Sequence, residues 1–117
     1  MHTDDEFAYR VESRLMGQGL YLTAIEDTSA GYRIEYESLS ADRGAMPQRE
    51  LGDVINVFRD VLGEDWPGTA IEAVVTDFDG EPVAEWQVRA EWATALAEGD
   101  LSEVAFSERV LGTLSGR

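Results

Sequence analysis

The sequence predicts an α+β fold: a two-layer domain in which a four-stranded antiparallel sheet is packed by helices mainly on one face. Three observations carry that expectation. Tyr32-Arg33-Ile34-Glu35-Tyr36-Glu37 alternates strictly between apolar and charged residues, the period of a half-buried strand. Leu51, Val54, Ile55, Phe58 and Leu62 recur at helical spacing and form the cleanest amphipathic stripe in the chain. Asp79-Gly80 lies between two strand-like runs and is a strong hairpin signal, because the favoured tight turn needs residues that tolerate a positive φ.

Taken in order, the first helix is announced by Thr3 with Glu6 at capping-box spacing, followed by Phe7, Val11 and Leu15 along one side. Gly17 and Gly19 stop it. Leu20 to Asp27 and Tyr32 to Leu39 read as strands joined by a turn at Thr28-Ser29-Ala30-Gly31. A polar link, Asp42 to Met46, leads to Pro47 at a first helical position and the Leu51 to Leu62 helix, which Gly63 closes. After the Glu64-Asp65-Trp66-Pro67-Gly68 loop, Thr69 to Phe78 is apolar enough for a strand inside the sheet. Ala84, Trp86, Val88, Ala90 and Trp92 alternate with charged and polar residues, predicting a long fourth strand. Asp100 with Glu103 caps a last helix from about Leu101 to Leu114, expected at an edge or on the far face. The order is α-ββ-α-ββ-α in a single domain, 1–117. Thr23-Ala24-Ile25-Glu26 and Thr69-Ala70-Ile71-Glu72 each begin six positions after a helix-stopping glycine, which suggests an internal αββ repeat.

Charge is the most unusual property of the chain. Against 24 Asp and Glu stand 9 basic residues, all Arg with no Lys, for a formal net charge of -15. Such an excess repels itself in dilute buffer and destabilises the compact state. At molar ionic strength the screening length falls to about 3 Å, so the repulsion disappears while the carboxylates still hold water and cations. Lys is avoided because its apolar stem would favour association in a salt-saturated solvent, and heat adaptation would instead enrich Lys together with Glu. In composition the chain resembles cytosolic proteins of salt-accumulating halophilic archaea. That resemblance implies a cytoplasmic protein with an acidic surface that binds cations diffusely.

Several chemistries are disfavoured. No cysteine means no disulfide, thiolate nucleophile or Cys-based metal site, and the acidic N-terminus is unlike a secretory leader. The only histidine is His2, ahead of the first helix, so a Ser-His-acid triad has no positioned base. Asp77-Phe78-Asp79-Gly80-Glu81 looks like a calcium-loop fragment, but Val75, Val83 and Trp86 occupy places where ligands are needed, so a hairpin is the expected structure. Phosphate-binding loops are missing, and dispersed Arg among many acids speaks against nucleic acid. No cofactor, metal or membrane partner is expected.

The remaining signal lies in the aromatic and apolar residues. Tyr21 and Phe78 fall on strands that are apolar on both sides, Trp66 sits in a loop, and Phe106, Val110 and Leu114 form a wide stripe on the last helix. These six are the candidate interaction residues. The element order is similar to the type III secretion chaperone-like folds, which implies a sheet-and-helix surface that holds protein partners. The sequence thus points to a non-catalytic protein-interaction or assembly module, with a protein partner or self-association as a homodimer. The alternatives are a small-ligand binder or minor enzyme using Arg33, Glu35, Arg89 and Glu91, and an acidic mimic of nucleic acid that occupies a basic partner. If the charge is an adaptation to salt, circular dichroism will show a marked fall in melting temperature between molar and tens-of-millimolar KCl; an unchanged melting temperature would refute the adaptation.

Overall fold

The computed structural model describes residues 5–42 and 48–116. The Thr3 cap, His2 and the link through Pro47 lie outside the described residues. Helix α1 (Asp5–Met16) buries Val11 and Leu15 completely, and Phe7 stacks on Tyr32 at 5.0 Å. Strands β1 (Leu20–Asp27) and β2 (Gly31–Ser38) form the expected hairpin. The Thr28 hydroxyl makes the turn by accepting from the Ala30 and Gly31 N–H groups, a local bond that competes with extended structure. Ser38 ends β2 and starts the one-turn helix α2 (Leu39–Asp42): its hydroxyl accepts from the Ala41 N–H and donates to Glu50. Helix α3 (Gln48–Leu62) turns the Leu51 to Leu62 stripe onto the sheet, with Val54, Val57 and Phe58 fully buried.

A short 3₁₀ turn (Gly63–Asp65) then leads to β3 (Ala70–Thr76), which lies parallel to β2. This corrects the antiparallel expectation. Residues 39–69 carry a helix that needs the sheet to bury its apolar side, and a connection of that length permits the parallel return that a tight turn cannot make. Strand β4 (Pro82–Val88) pairs antiparallel with β3 through the Asp77–Glu81 turn, where Asp77 Oδ1 accepts from the Asp79 and Glu81 N–H groups, each at 2.9 Å. The carboxylate of the calcium-like run is thus spent on the hairpin.

The C-terminal third departs furthest from expectation. Strand β4 stops at Val88, and Ala90 to Glu98 is helix α4 rather than the end of a strand. Its Ala-rich sequence has high helix propensity, and Ala93 points into the core while Gly99, at φ 80°, terminates it. Helix α5 (Glu103–Leu111) is capped by the Ser102 hydroxyl, which accepts from the Ala105 N–H at 3.1 Å; Asp100 instead lies in the preceding turn. Leu114 lies beyond α5. The chain then adds β5 (Ser115–Gly116) to the edge of β4, so the sheet has five strands in the order β1-β2-β3-β4-β5. The Thr113 hydroxyl fastens this tail, accepting from the Gln87 N–H and lying 3.3 Å from the Gln87 carbonyl.

Register sets buried strand residues in rows under the helices: Tyr32, Ile71 and Val88; Ile34, Ala73 and Trp86; Tyr36, Val75 and Ala84. α5 joins this layer through Phe106 and Val110, so it packs with α3 over β4, and no helix of the described residues covers the far face. The αββ similarity has no spatial counterpart. Two copies of one unit with helices on the same face would set β1 and β3 in the same direction, but β1 opposes β2 and β2 parallels β3.

Two features of this core are open to test. A Cβ on Gly31 would overlap the Ala70 carbonyl oxygen and stand 2.6 Å from the Ala70 nitrogen, so the β2–β3 junction requires glycine. Gly31→Ala is expected to cost about 2–3 kcal/mol, whereas Gly52→Ala in α3, with nothing within 4 Å of a new Cβ, gains about 0.5–1 kcal/mol; urea denaturation distinguishes them. In the second feature, the Trp86 indole N–H donates to the Tyr36 phenol oxygen at 2.9 Å inside the core. Burial pushes the Tyr36 phenol well above its ordinary value, the Trp86 bond pulls it back, and the Glu50 charge raises it further. The unfolded phenol loses its proton above about pH 10 while the folded one keeps it, so this contribution is intact below pH 10 and stability then falls by about 1.4 kcal/mol per pH unit. Denaturation midpoints across that range will show the slope, and Tyr36→Phe will remove this share of it.

Candidate functional site

With the described helices packed on one side, two features have no partner among the described residues: the far face of the sheet and the outer edge of β1. Among the described residues β1 pairs only with β2, whereas β5 covers the outer side of β4 at Ala84 and Glu85. An eight-residue strand with an open ladder is a template for another chain.

Along β1 the alternation breaks. Leu22 pairs with Tyr36 and Ala24 with Glu35, leaving Thr23 as an extra residue whose hydroxyl donates to the Glu35 carbonyl at 3.1 Å. The bulge shifts the phase of the strand. Leu20, Leu22 and Ile25 therefore all lie on the helical side, opposite Ser38, Tyr36 and Ile34, while Tyr21, Ala24 and Glu26 lie on the open side, opposite Glu37, Glu35 and Arg33. Ile25 and Tyr21 thus point to opposite faces, although their spacing in an unbulged strand would put them on one.

Exposed apolar residues straddle this edge. On the open side Tyr21 meets Phe78 of the β3–β4 turn edge to face, with ring centres 6.1 Å apart, and each remains 43% exposed. On the helical side a groove of about 280 Å³ runs between α1 and β1, lined by Ala8, Tyr9, Glu12, Leu22, Thr23, Ala24 and Ile25. Tyr9 stands 68% exposed on its wall. Tyr9 belongs to the polar side of α1, away from the Phe7, Val11 and Leu15 stripe, so an aromatic residue off the helical period is the sequence signal that marks it.

The six sequence-selected residues divide cleanly. Tyr21 and Phe78 are surface neighbours. Trp66, Phe106 and Val110 belong to the core, with Trp66 and Phe106 in edge contact at 6.2 Å, and Leu114 is half-buried against it. Trp66 therefore seals the core as a loop plug. A separate apolar groove of about 180 Å³ between α3 and α5 is lined by Leu51, Gly52, Ile55 and Leu111 among others.

The polar candidates separate as well. Arg33 and Glu35 stand on the open face, where Arg33 lies in register between Glu26 and Glu72. A cleft of about 270 Å³ there is lined by Arg33, Glu72, Val74, Glu85, Gln87 and Thr113. Arg89 and Glu91 are off the sheet at the start of α4, where they approach each other at 3.7 Å and Arg89 lies over the Trp92 ring. Among the described residues, no three His, Cys, Asp or Glu side chains converge as a metal-ligand set, and no helix is long and apolar enough to cross a membrane.

Comparison with curated proteins and with solved structures returned no match. A family model described as Domain of unknown function (DUF8159) matches residues 1–117, and the chain belongs to that family.

Proposed function

We propose that this domain is a non-catalytic protein-interaction module of a salt-rich cytosol, and that it docks a protein segment along β1. One observation carries the reading: the long strand with an open edge is also the strand flanked by exposed aromatic residues on both faces of the sheet. Main-chain pairing to such an edge supplies affinity, and side-chain pockets beside it supply selectivity. Tyr21, Phe78 and Tyr9 are the side chains placed to provide that selectivity. The surrounding carboxylates keep the rest of the surface hydrated, which confines adhesion in dense salt to the edge itself. Holding a partner on a sheet-and-helix surface also agrees with the secretion chaperone-like folds that the element order resembles.

A second reading is favoured by the open-face cleft around Arg33, where a small polar molecule would sit among Glu72, Glu85, Gln87 and Thr113. Cross-strand alternation of Glu26, Arg33 and Glu72 accounts for the same residues as ordinary charge pairing, so the edge reading is preferred.

Light scattering and affinity capture in molar KCl test the proposal. The native chain is expected in a complex, with itself or with another protein, that Tyr21→Arg weakens at least tenfold without changing the circular dichroism spectrum. A single-chain mass with no co-purifying protein at that salt would refute it.

A further inference from the structure

We propose that the occupant of the β1 edge is a second copy of this chain, paired antiparallel about a two-fold axis at Thr23 and Ala24. The inference rests on the interaction reading above and names its partner. Its basis is the phase shift at the bulge. Pairing that sets Leu22 against Ile25 of the second copy also sets Tyr21 against its Glu26 and Leu20 against its Asp27. In that register the pairs Leu20–Asp27, Tyr21–Glu26 and Leu22–Ile25 each join residues of the same side, with the bulge residue Thr23 at the centre beside Ala24. A shift of one residue either way opposes Leu22 to an open-side residue and breaks the match. Without the extra Thr23, the same Leu22 to Ile25 pairing would be impossible, because the two residues would project from opposite faces.

Charge selects the same arrangement. The acids of β1, Glu26 and Asp27, cluster at one end, and its large apolar residues, Leu20, Tyr21 and Leu22, at the other. Antiparallel pairing lays each acidic end beside the apolar end of the other copy, and keeps the two Glu26 residues about 17 Å apart along the strands at about 3.3 Å per residue. That exceeds the screening length of about 10 Å at 0.1 M salt. Parallel pairing would stack Glu26 on Glu26 and Asp27 on Asp27. In the antiparallel dimer the α1–β1 grooves of both copies meet at the seam, where Tyr9 and Leu22 of one face Ile25 of the other. Symmetric pairing of one surface with itself closes the assembly at two chains.

Net charge makes the dimer tighten with salt, since two chains of -15 repel at long range. A cationic peptide on the same acidic strand end would instead bind more weakly as salt rises. The test uses the full chain. Sedimentation in molar KCl is expected to give the mass of two chains, shifting to one as KCl is lowered within the range where circular dichroism still reports the fold. Tyr9→Glu is expected to weaken dimerisation at least tenfold at unchanged circular dichroism. In this cysteine-free protein, Thr23→Cys should form a disulfide-linked dimer on mild oxidation, because the two-fold axis brings position 23 close to its twin, whereas exposed Val104→Cys should not. A single-chain mass in molar KCl, or linkage through Val104→Cys and not Thr23→Cys, would overturn the proposal. Were the chain a monomer that binds a different protein in a Tyr21-dependent way, the interaction reading would survive and the dimer would not.

Discussion

The parallel contact between β2 and β3 is the constraint on which the rest of the molecule depends. It joins the two hairpins of the sheet, and it begins where Gly31 lies against the Ala70 backbone, with the Ala70 N–H donating to the Ala30 carbonyl at 2.9 Å. Only a residue without a side chain permits that approach. Because the pair is parallel, the chain must cross between the strands, and α3 makes the crossing with its apolar stripe against the rows set by Tyr32, Ile34 and Tyr36. α4 and α5 then extend the same layer. One junction therefore decides which face is dry, which is wet, and that β1 is left at the margin.

Within the core, the Tyr36 and Trp86 pair shows how two large polar aromatics are accommodated beneath that layer. Each supplies what the other lacks, a donor from the indole and an acceptor from the phenol, so neither leaves a polar atom unsatisfied. The surface is held differently. The ion pairs Arg14–Asp60 and Arg59–Glu103 are solvent-exposed, and exposed pairs of this kind contribute little. Cohesion comes from buried rows of apolar residues, while the acidic surface governs hydration and long-range repulsion.

Much of the fold was legible in the sequence because period and turn chemistry are local. The hairpins at Thr28–Gly31 and Asp77–Glu81, α1 and α3 follow from apolar spacing and turn residues that act over a few positions. Strand order is not local, so nothing in the residues separates a parallel β2–β3 contact from an antiparallel one. Ala84 to Trp92 misleads for a specific reason: a run of small and aromatic residues alternates over β4 and continues with residues that also suit a helix, and tertiary packing of Ala93 decides. For the candidate surface, Tyr21 and Phe78 were visible as aromatic residues in strand-like runs apolar on both sides, although Phe78 lies in the turn after β3. The core location of Trp66 and Phe106 was not, because aromatic residues that plug a core and those that bind a partner have the same chemistry. The bulge at Thr23 was likewise hidden, since Leu20 to Asp27 reads equally well with and without it.

The two-residue strand β5 acquires a larger meaning from its position. By pairing with Glu85 and Ala84, Ser115 and Gly116 give the sheet unlike margins, β4 partly covered within the chain and β1 open among the described residues. A sheet with two open margins could add molecules at either side and grow without limit, as fibrillar assemblies do. Here, among the described residues, the long open ladder is confined to one margin. The short strand after α5 thus removes part of the second edge at which another chain could add.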